Sequence, residues 1–332
     1  MFSPDAYLDY LYQEAIANQE QKDQNQLLVK FEELLGDFSG QDQPLNPEII
    51  ERVELDSYTR LGVVISTVKH LKMPVYVLIP NHEPKKKKPA VLAIHGHGYG
   101  NKALVGLNHD GTRIDGGEYH KNFAIELVKR GTVVLVPELV GFGDRKRKVD
   151  QGIGKPTDNS CYMIASQLLL VGKTLAGLRV HECKRVLDFI ETLTEVDQEK
   201  IACMGISGGG LVAGFTSALD QRIRATVISG YTNTFKTSIM ARRHCLDNYI
   251  PGILNEAEMP EWLGLIAPRP LFIEAGTEDH LFPVEYVHYA IERLTTIYRS
   301  FNAESMLDAH IFPGGHEING QKSFDWIINQ LT

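Results

Sequence analysis

Ser207 stands in the run Gly205-Ile206-Ser207-Gly208-Gly209, which has the G-x-S-x-G spacing of a nucleophile elbow. A serine held on a tight strand-to-helix turn takes strained backbone angles. Glycines on either side leave room for the strand and helix that cross beside it. The turn lifts the hydroxyl above the sheet, and the next backbone N–H falls at a helix N-terminus that favours negative charge. A serine hydroxyl also needs a base to take its proton and a third group to hold that base. In the order Ser, acid, His, the candidate acid is Asp279 in Ala275-Gly-Thr-Glu-Asp-His-Leu-Phe-Pro283, with Glu278 as the alternative. The candidate base is His316 in Phe312-Pro-Gly-Gly-His-Glu317, where the glycines free the loop to lay an imidazole against Ser207. Of the 12 histidines, His310 falls inside the last expected strand and reads as structural, whereas His280, beside the acid, could line the pocket.

A second motif, His95-Gly96-His97-Gly98, ends the strand two before the elbow. That is where such an arrangement supplies its second oxyanion donor, so the backbone N–H groups of His97 and Gly208 are expected to face the developing oxyanion. Losing one such donor costs about 3–4 kcal/mol of transition-state stabilisation. Two histidines at i, i+2 also raise the possibility of zinc. No third ligand with suitable spacing follows them, so neither a metal nor a cofactor is expected.

These residues need a scaffold, and the hydrophobic pattern supplies one. Short apolar runs at Ala90 to Ile94, Thr132 to Pro137, Ile201 to Ile206, Arg224 to Ser229, Pro270 to Glu274 and Met306 to Phe312 read as strands. Helical spacing is found at about 119–130, 164–193, 211–219, 284–298 and 322–331. Strands alternating with helices build an α/β fold, a mostly parallel sheet covered on both faces, with strand ends gathered on one side. Before them, residues 58–69 and 73–79 alternate and are rich in β-branched side chains, which predicts an antiparallel opening pair. The segment Pro84-Lys-Lys-Lys-Lys-Pro89 predicts a solvated tip. Residues 4–36 read as a helical preamble, with Leu27, Leu28, Phe31, Leu34 and Leu35 at helical spacing. The domain expectation is therefore a helical extension over residues 1–45, packed outside the main domain or reaching a partner subunit, and a catalytic domain over 46–332.

Composition narrows the function class. The 332 residues carry a formal net charge of −8, which argues against non-specific binding to nucleic acid or anionic membrane. Cys161, Cys183, Cys203 and Cys245 form no C-x-x-C pair and read as free thiols of a reducing compartment. The N-terminus shows no basic stretch followed by an apolar one, and no apolar run is long enough to span a bilayer. A cytoplasmic protein acting on a small molecule is the expectation.

With His95-Gly-His-Gly98, Glu195 to Ile201 leading into Gly205 to Gly209, Gly276-Thr-Glu-Asp279 and Gly314-Gly-His316 in that order, the chain resembles the α/β-hydrolase superfamily. Within it, the resemblance is to the dienelactone-hydrolase and acetyl xylan esterase-like group, from about Leu71 to the C-terminus. The resemblance implies an α/β-hydrolase fold and a serine esterase. Two departures bear on the substrate. Dienelactone hydrolases proper use a cysteine nucleophile where this chain has Ser207. The carbohydrate deacetylases tend to place a tyrosine directly after the first His-Gly, where this chain has His97, with Tyr99 further on.

Residues 231–254 lie between two core strands and are expected to form a small cap above the site. Tyr231, Phe235 and Tyr249 within it, with Tyr99 and His280, are the candidate substrate-binding residues, although the cap aromatics could equally pack the cap down. The leading expectation is a carboxylesterase for small acyl groups, acetyl above all. The rivals are a peptidase of prolyl-oligopeptidase type and a non-enzymatic hydrolase-fold binding protein.

Overall fold

The computed structural model describes residues 2–82, 86–114 and 118–332. A nine-stranded sheet runs through it in the order β1-β2-β3-β5-β4-β6-β7-β8-β9. The first three strands, β1 (Glu48–Glu54), β2 (Tyr58–Ser66) and β3 (Lys72–Pro80), are antiparallel, and β3 meets β5 (Val133–Pro137) antiparallel as well. From there β4 (Lys88–Ile94), β6 (Val196–Ile206), β7 (Ile223–Ser229), β8 (Leu271–Gly276) and β9 (Leu307–Phe312) continue in parallel. Of the charged tip expected at 84–89, residues 84 and 85 lie outside the described residues.

Strand β6 shows how the sequence chooses two faces. Ile201 and Cys203 join one apolar cluster, while Ala202, Met204 and Ile206 join the other, as the period of two along a strand requires. On one side lie α3 (Phe123–Lys129) and α10 (Ser323–Asn329), burying Phe123, Leu127 and Ile327. On the other lie α5 (Leu175–Thr192), α6 (Gly208–Leu219), the short α8 (Met259–Gly264) and α9 (Val284–Ser300).

The expected preamble is two helices rather than one, α1 (Asp5–Ala17) and α2 (Gln24–Leu35). Asp23 makes the break: its carboxylate accepts from the Gln26 N–H and the Gln26 side chain accepts from the Asp23 N–H, a reciprocal cap that starts a new helix. Phe31 of α2 then reaches the main core, stacking on Trp262 at 4.8 Å and meeting Phe215 edge-on at 4.7 Å. The helical stretch expected over 164–193 is likewise divided, into α4 (Cys161–Leu169) and α5, with Thr174 capping the second by accepting from the Gly177 N–H. A further short helix, α7 (Ile253–Glu256), precedes α8.

Candidate active site

Between β6 and α6 the chain turns at Ser207 with φ 58° and ψ −126°, a positive φ at a residue that bears a side chain. The crossing beside it is tight. A Cβ on Gly205 would stand 2.1 Å from the Gly209 carbonyl oxygen, and one on Gly209 would stand 2.4 Å from that of Ile94. The Ser207 N–H donates to the Ser229 carbonyl at 2.9 Å, which pins the turn to the end of β7.

Beyond β8, Asp279 is buried and His316 partly so. Nδ1 of His316 lies 2.7 Å from Oδ2 of Asp279, while Oδ1 accepts the N–H groups of Leu281 at 2.8 Å and Phe282 at 3.2 Å. A carboxylate held by two backbone donors fixes the imidazole so that Nδ1–H points at it and Nε2 is free to face a reactant. The ring also stacks on Tyr119, centroids 5.6 Å apart, and on Phe282 at 5.8 Å.

Two glycines gauge how near these groups lie to the elbow. A Cβ on Gly96 would stand 2.3 Å from the Tyr119 hydroxyl and 3.2 Å from Cβ of Ser207; one on Gly230 would stand 3.1 Å from Nδ1 of His316. Ser207, Asp279 and His316 thus gather over the ends of β4, β6, β7 and β8. Glu278, the alternative acid, is exposed, and it is its backbone N–H that reaches the His316 loop, donating to the Gly314 carbonyl at 2.8 Å.

The His95-Gly-His turn is held from three sides. Nε2 of His95 accepts the Leu139 N–H at 3.0 Å and its Nδ1–H donates to the Gly96 carbonyl at 2.7 Å. The Gly96 N–H donates to Nε2 of His120 at 3.0 Å, and the Tyr119 hydroxyl donates to the His97 carbonyl at 2.5 Å. Burial holds His120 well below the usual imidazole range, so it stays a neutral acceptor. Gly208 opens α6, where helical N–H groups have no partner within the helix, and the His97 ring lies 3.1 Å from where a Gly208 Cβ would be.

Two of the expected substrate-binding residues need correction. Tyr231 and Phe235 are 1% and 2% exposed and belong to the core, so they offer a substrate no surface. Tyr231 instead packs beneath Phe282, centroids 5.4 Å apart, and so backs a ring that itself stacks on His316. Tyr249 is 38% exposed, with its hydroxyl donating to the Ile239 carbonyl at 3.2 Å. Tyr99 is buried and pairs edge-on with His109. His280 is exposed, and its carbonyl accepts from Arg242.

Three groups escaped the sequence reading. Tyr119 and His120 sit where only a helix start was expected. Glu274, fully buried, gathers four donors: Gly320 N–H and Ser323 hydroxyl on one oxygen, Ser229 hydroxyl and Asn319 N–H on the other. Behind His97 lies a third group, in which donor atoms of His97, Cys161, Cys245 and Asp247 all fall within 4.8 Å of one another. A broad groove of about 820 Å³ between α2 and α5 is lined by Phe38, His181, Arg185 and Asp188 and includes none of the three elbow-side residues.

The description "Abhydrolase family" matches residues 5–296. The chain belongs to the abhydrolase family. A relative named "Putative hydrolase YtaP", from Bacillus subtilis (strain 168), is 30% identical over 277 residues, covering 80% of this chain and 84% of its own. Among solved structures, a putative acetyl xylan esterase from Bacteroides fragilis NCTC 9343 superposes with a TM-score of 0.77 at 17% identity, over 94% of this chain and 82% of its own. A glucuronoyl esterase from Solibacter usitatus superposes with a TM-score of 0.65 at 15% identity, over 94% and 93%. At such identities the likeness is one of fold, an α/β-hydrolase sheet with helices on both faces. Among the described residues no helix is long and apolar enough to cross a membrane.

Proposed function

We propose that the protein is a serine esterase that cleaves carboxylic esters of small acyl groups, acetyl foremost, through Ser207, His316 and Asp279. The observation that carries this reading is the 2.7 Å contact between His316 Nδ1 and Asp279 Oδ2 beside a serine on a strained elbow. In this reading Nε2 of His316 takes the Ser207 proton as Oγ attacks the ester carbonyl. Asp279 then stabilises the imidazolium without becoming protonated itself. The N–H groups of Gly208 and His97 receive the oxyanion. Collapse expels the alcohol, which takes the proton back from His316, and leaves an acyl-enzyme that water cleaves by the same steps in reverse.

The names of the structural neighbours, acetyl xylan esterase and glucuronoyl esterase, agree with ester chemistry. The four free thiols accord with a cytoplasmic enzyme. Residues 1–45 then serve as an extension on the catalytic domain of 46–332, with 231–254 as its small cap. The test is labelling with a fluorophosphonate, followed by peptide mapping and by nitrophenyl acetate kinetics. The label should sit on Ser207. Ser207→Ala should lose on the order of a millionfold in turnover, and adding His316→Ala should cost little more, because the two act as one unit. Near-normal ester hydrolysis by Ser207→Ala would end this reading.

A further inference from the structure

The polar group behind His97 is not needed to hold a triad, and its composition is unusual for a buried site. Cys161 comes from the start of α4, Cys245 and Asp247 from the loop that follows β7, and His97 from the turn after β4. Cys161 and Asp247 are buried. Nε2 of His97 is shielded from solvent, has no hydrogen-bond partner among the described residues, and lies 3.6 Å from Oδ2 of Asp247. That separation is too long for a hydrogen bond. It matches the spacing of two ligands on one tetrahedral ion, where bonds of 2.0–2.3 Å place ligand atoms about 3.3–3.8 Å apart. The full set falls within 4.8 Å, so closing on an ion requires inward shifts of about 1 Å at most.

We propose that His97, Cys161, Cys245 and Asp247 form a tetrahedral site for a thiophilic divalent cation of the zinc class. Two thiolates, an imidazole and a carboxylate are a donor set that such a cation prefers over magnesium or calcium. The site differs from the His95–His97 pairing that the sequence suggested. Here His95 is already spent on the Leu139 N–H and the Gly96 carbonyl, and the other ligands come from far along the chain.

Arg179 completes the charge balance. Its guanidinium, fully buried, donates to Cys161 Sγ at 3.0 Å, to Asp247, and to the Val140 carbonyl at 2.8 Å. With the ion bound, two thiolates and a carboxylate face a dication and a guanidinium, and the charges cancel. Arg179 therefore acts as an outer partner that orients the sulfur and carboxylate ligands, the role such partners play at metal centres.

The test uses the full chain, reduced and stripped with a chelator, then titrated with cobalt chloride and zinc sulfate. Cobalt should bind one per chain and give the sulfur-to-metal charge-transfer band and strong visible bands of a tetrahedral dithiolate site, which zinc then abolishes by displacement. Cys245→Ser, at a partly exposed position, should weaken zinc binding at least about 100-fold, with circular dichroism to show that the variant is folded. Cys161→Ser should do the same, with circular dichroism to show that it is folded. Ser207→Ala should bind zinc as the parent does, which separates this site from the esterase reading. Weak, octahedral-type cobalt spectra, or zinc affinity unchanged in Cys245→Ser, would overturn the proposal.

Discussion

Glu274→Gln makes a sharp test of how the site is held. The carboxylate is fully buried, and each of its oxygens takes one backbone N–H and one hydroxyl: Gly320 at 2.9 Å with Ser323 at 2.8 Å, and Asn319 at 3.1 Å with Ser229 at 3.0 Å. Glutamine must put its amide NH₂ in place of one oxygen. The hydroxyl on that side can turn and accept, but the backbone N–H cannot. One buried donor is therefore left facing another donor, at a cost of about 1–3 kcal/mol. The three remaining bonds also lose the added strength of an ionised acceptor, and the total comes to roughly 3 kcal/mol. The consequence for turnover follows from what the donors belong to. The Ser229 carbonyl holds the Ser207 N–H, and Asn319 and Gly320 close the loop that carries His316. Misplacing either partner by a fraction of an ångström should lower kcat for nitrophenyl acetate by about 10- to 100-fold with little change in KM. Urea unfolding and steady-state kinetics on the same preparations give both numbers. A glutamine variant within about 0.5 kcal/mol of the parent, with unaltered kcat, would refute the donor count on which the reasoning stands.

Asp279→Asn should fold normally yet turn over about four orders of magnitude more slowly, whereas Glu278→Gln should be nearly silent; the reverse ranking in kcat would move the acid by one residue. Burial pushes the Glu258 carboxyl up from 4.5 to about 7, against three backbone N–H donors, so the folded chain holds its proton more tightly than the unfolded one. Stability from this group is then full below about 4.5 and drains away as pH rises through about 7, by at most about 3 kcal/mol. Urea midpoints of the parent relative to Glu258→Gln, measured at pH 5.5 and 8.5, should show the parent losing ground at the higher pH, and parallel profiles would exclude it. Acetyl and propionyl nitrophenyl esters should give higher kcat/KM than octanoyl, since the loop of 231–254 carries no long apolar helix to receive a chain. A rate that climbs steadily through eight carbons would show an open pocket.

The sheet could be read from sequence because its parallel strands are buried on both faces and so appear as unbroken apolar runs, such as Val133–Pro137. Strand β1 escaped because Glu48–Glu54 lies at the sheet edge with mostly exposed side chains, leaving no apolar face to betray it. The expected acid and base positions followed from their place after a strand, and chain order alone carries that information. Tyr231 and Phe235 were misplaced for a related reason: position in the chain put them above the sheet, but nothing in the local pattern said which way their rings turn. Tyr119, Glu274 and the group of His97, Cys161, Cys245 and Asp247 were invisible because each draws partners from separate elements. Only the folded chain brings donor atoms of residues 97, 161, 245 and 247 within 4.8 Å of one another.

The tight crossing at the elbow also shapes what a library of random variants will report. Any side chain at position 205 or 209 runs into a backbone oxygen at 2.1 or 2.4 Å, and a backbone cannot step aside as a rotamer can. Substitution there must prise α6 away from the sheet, and α6 buries eleven of its residues against the core. In a screen scored by colour on an ester, such clones will be as pale as those altered at Ser207. In a soluble-yield assay the two groups part: changes at the nucleophile leave abundant, folded, silent protein, while changes at the two glycines remove the protein itself.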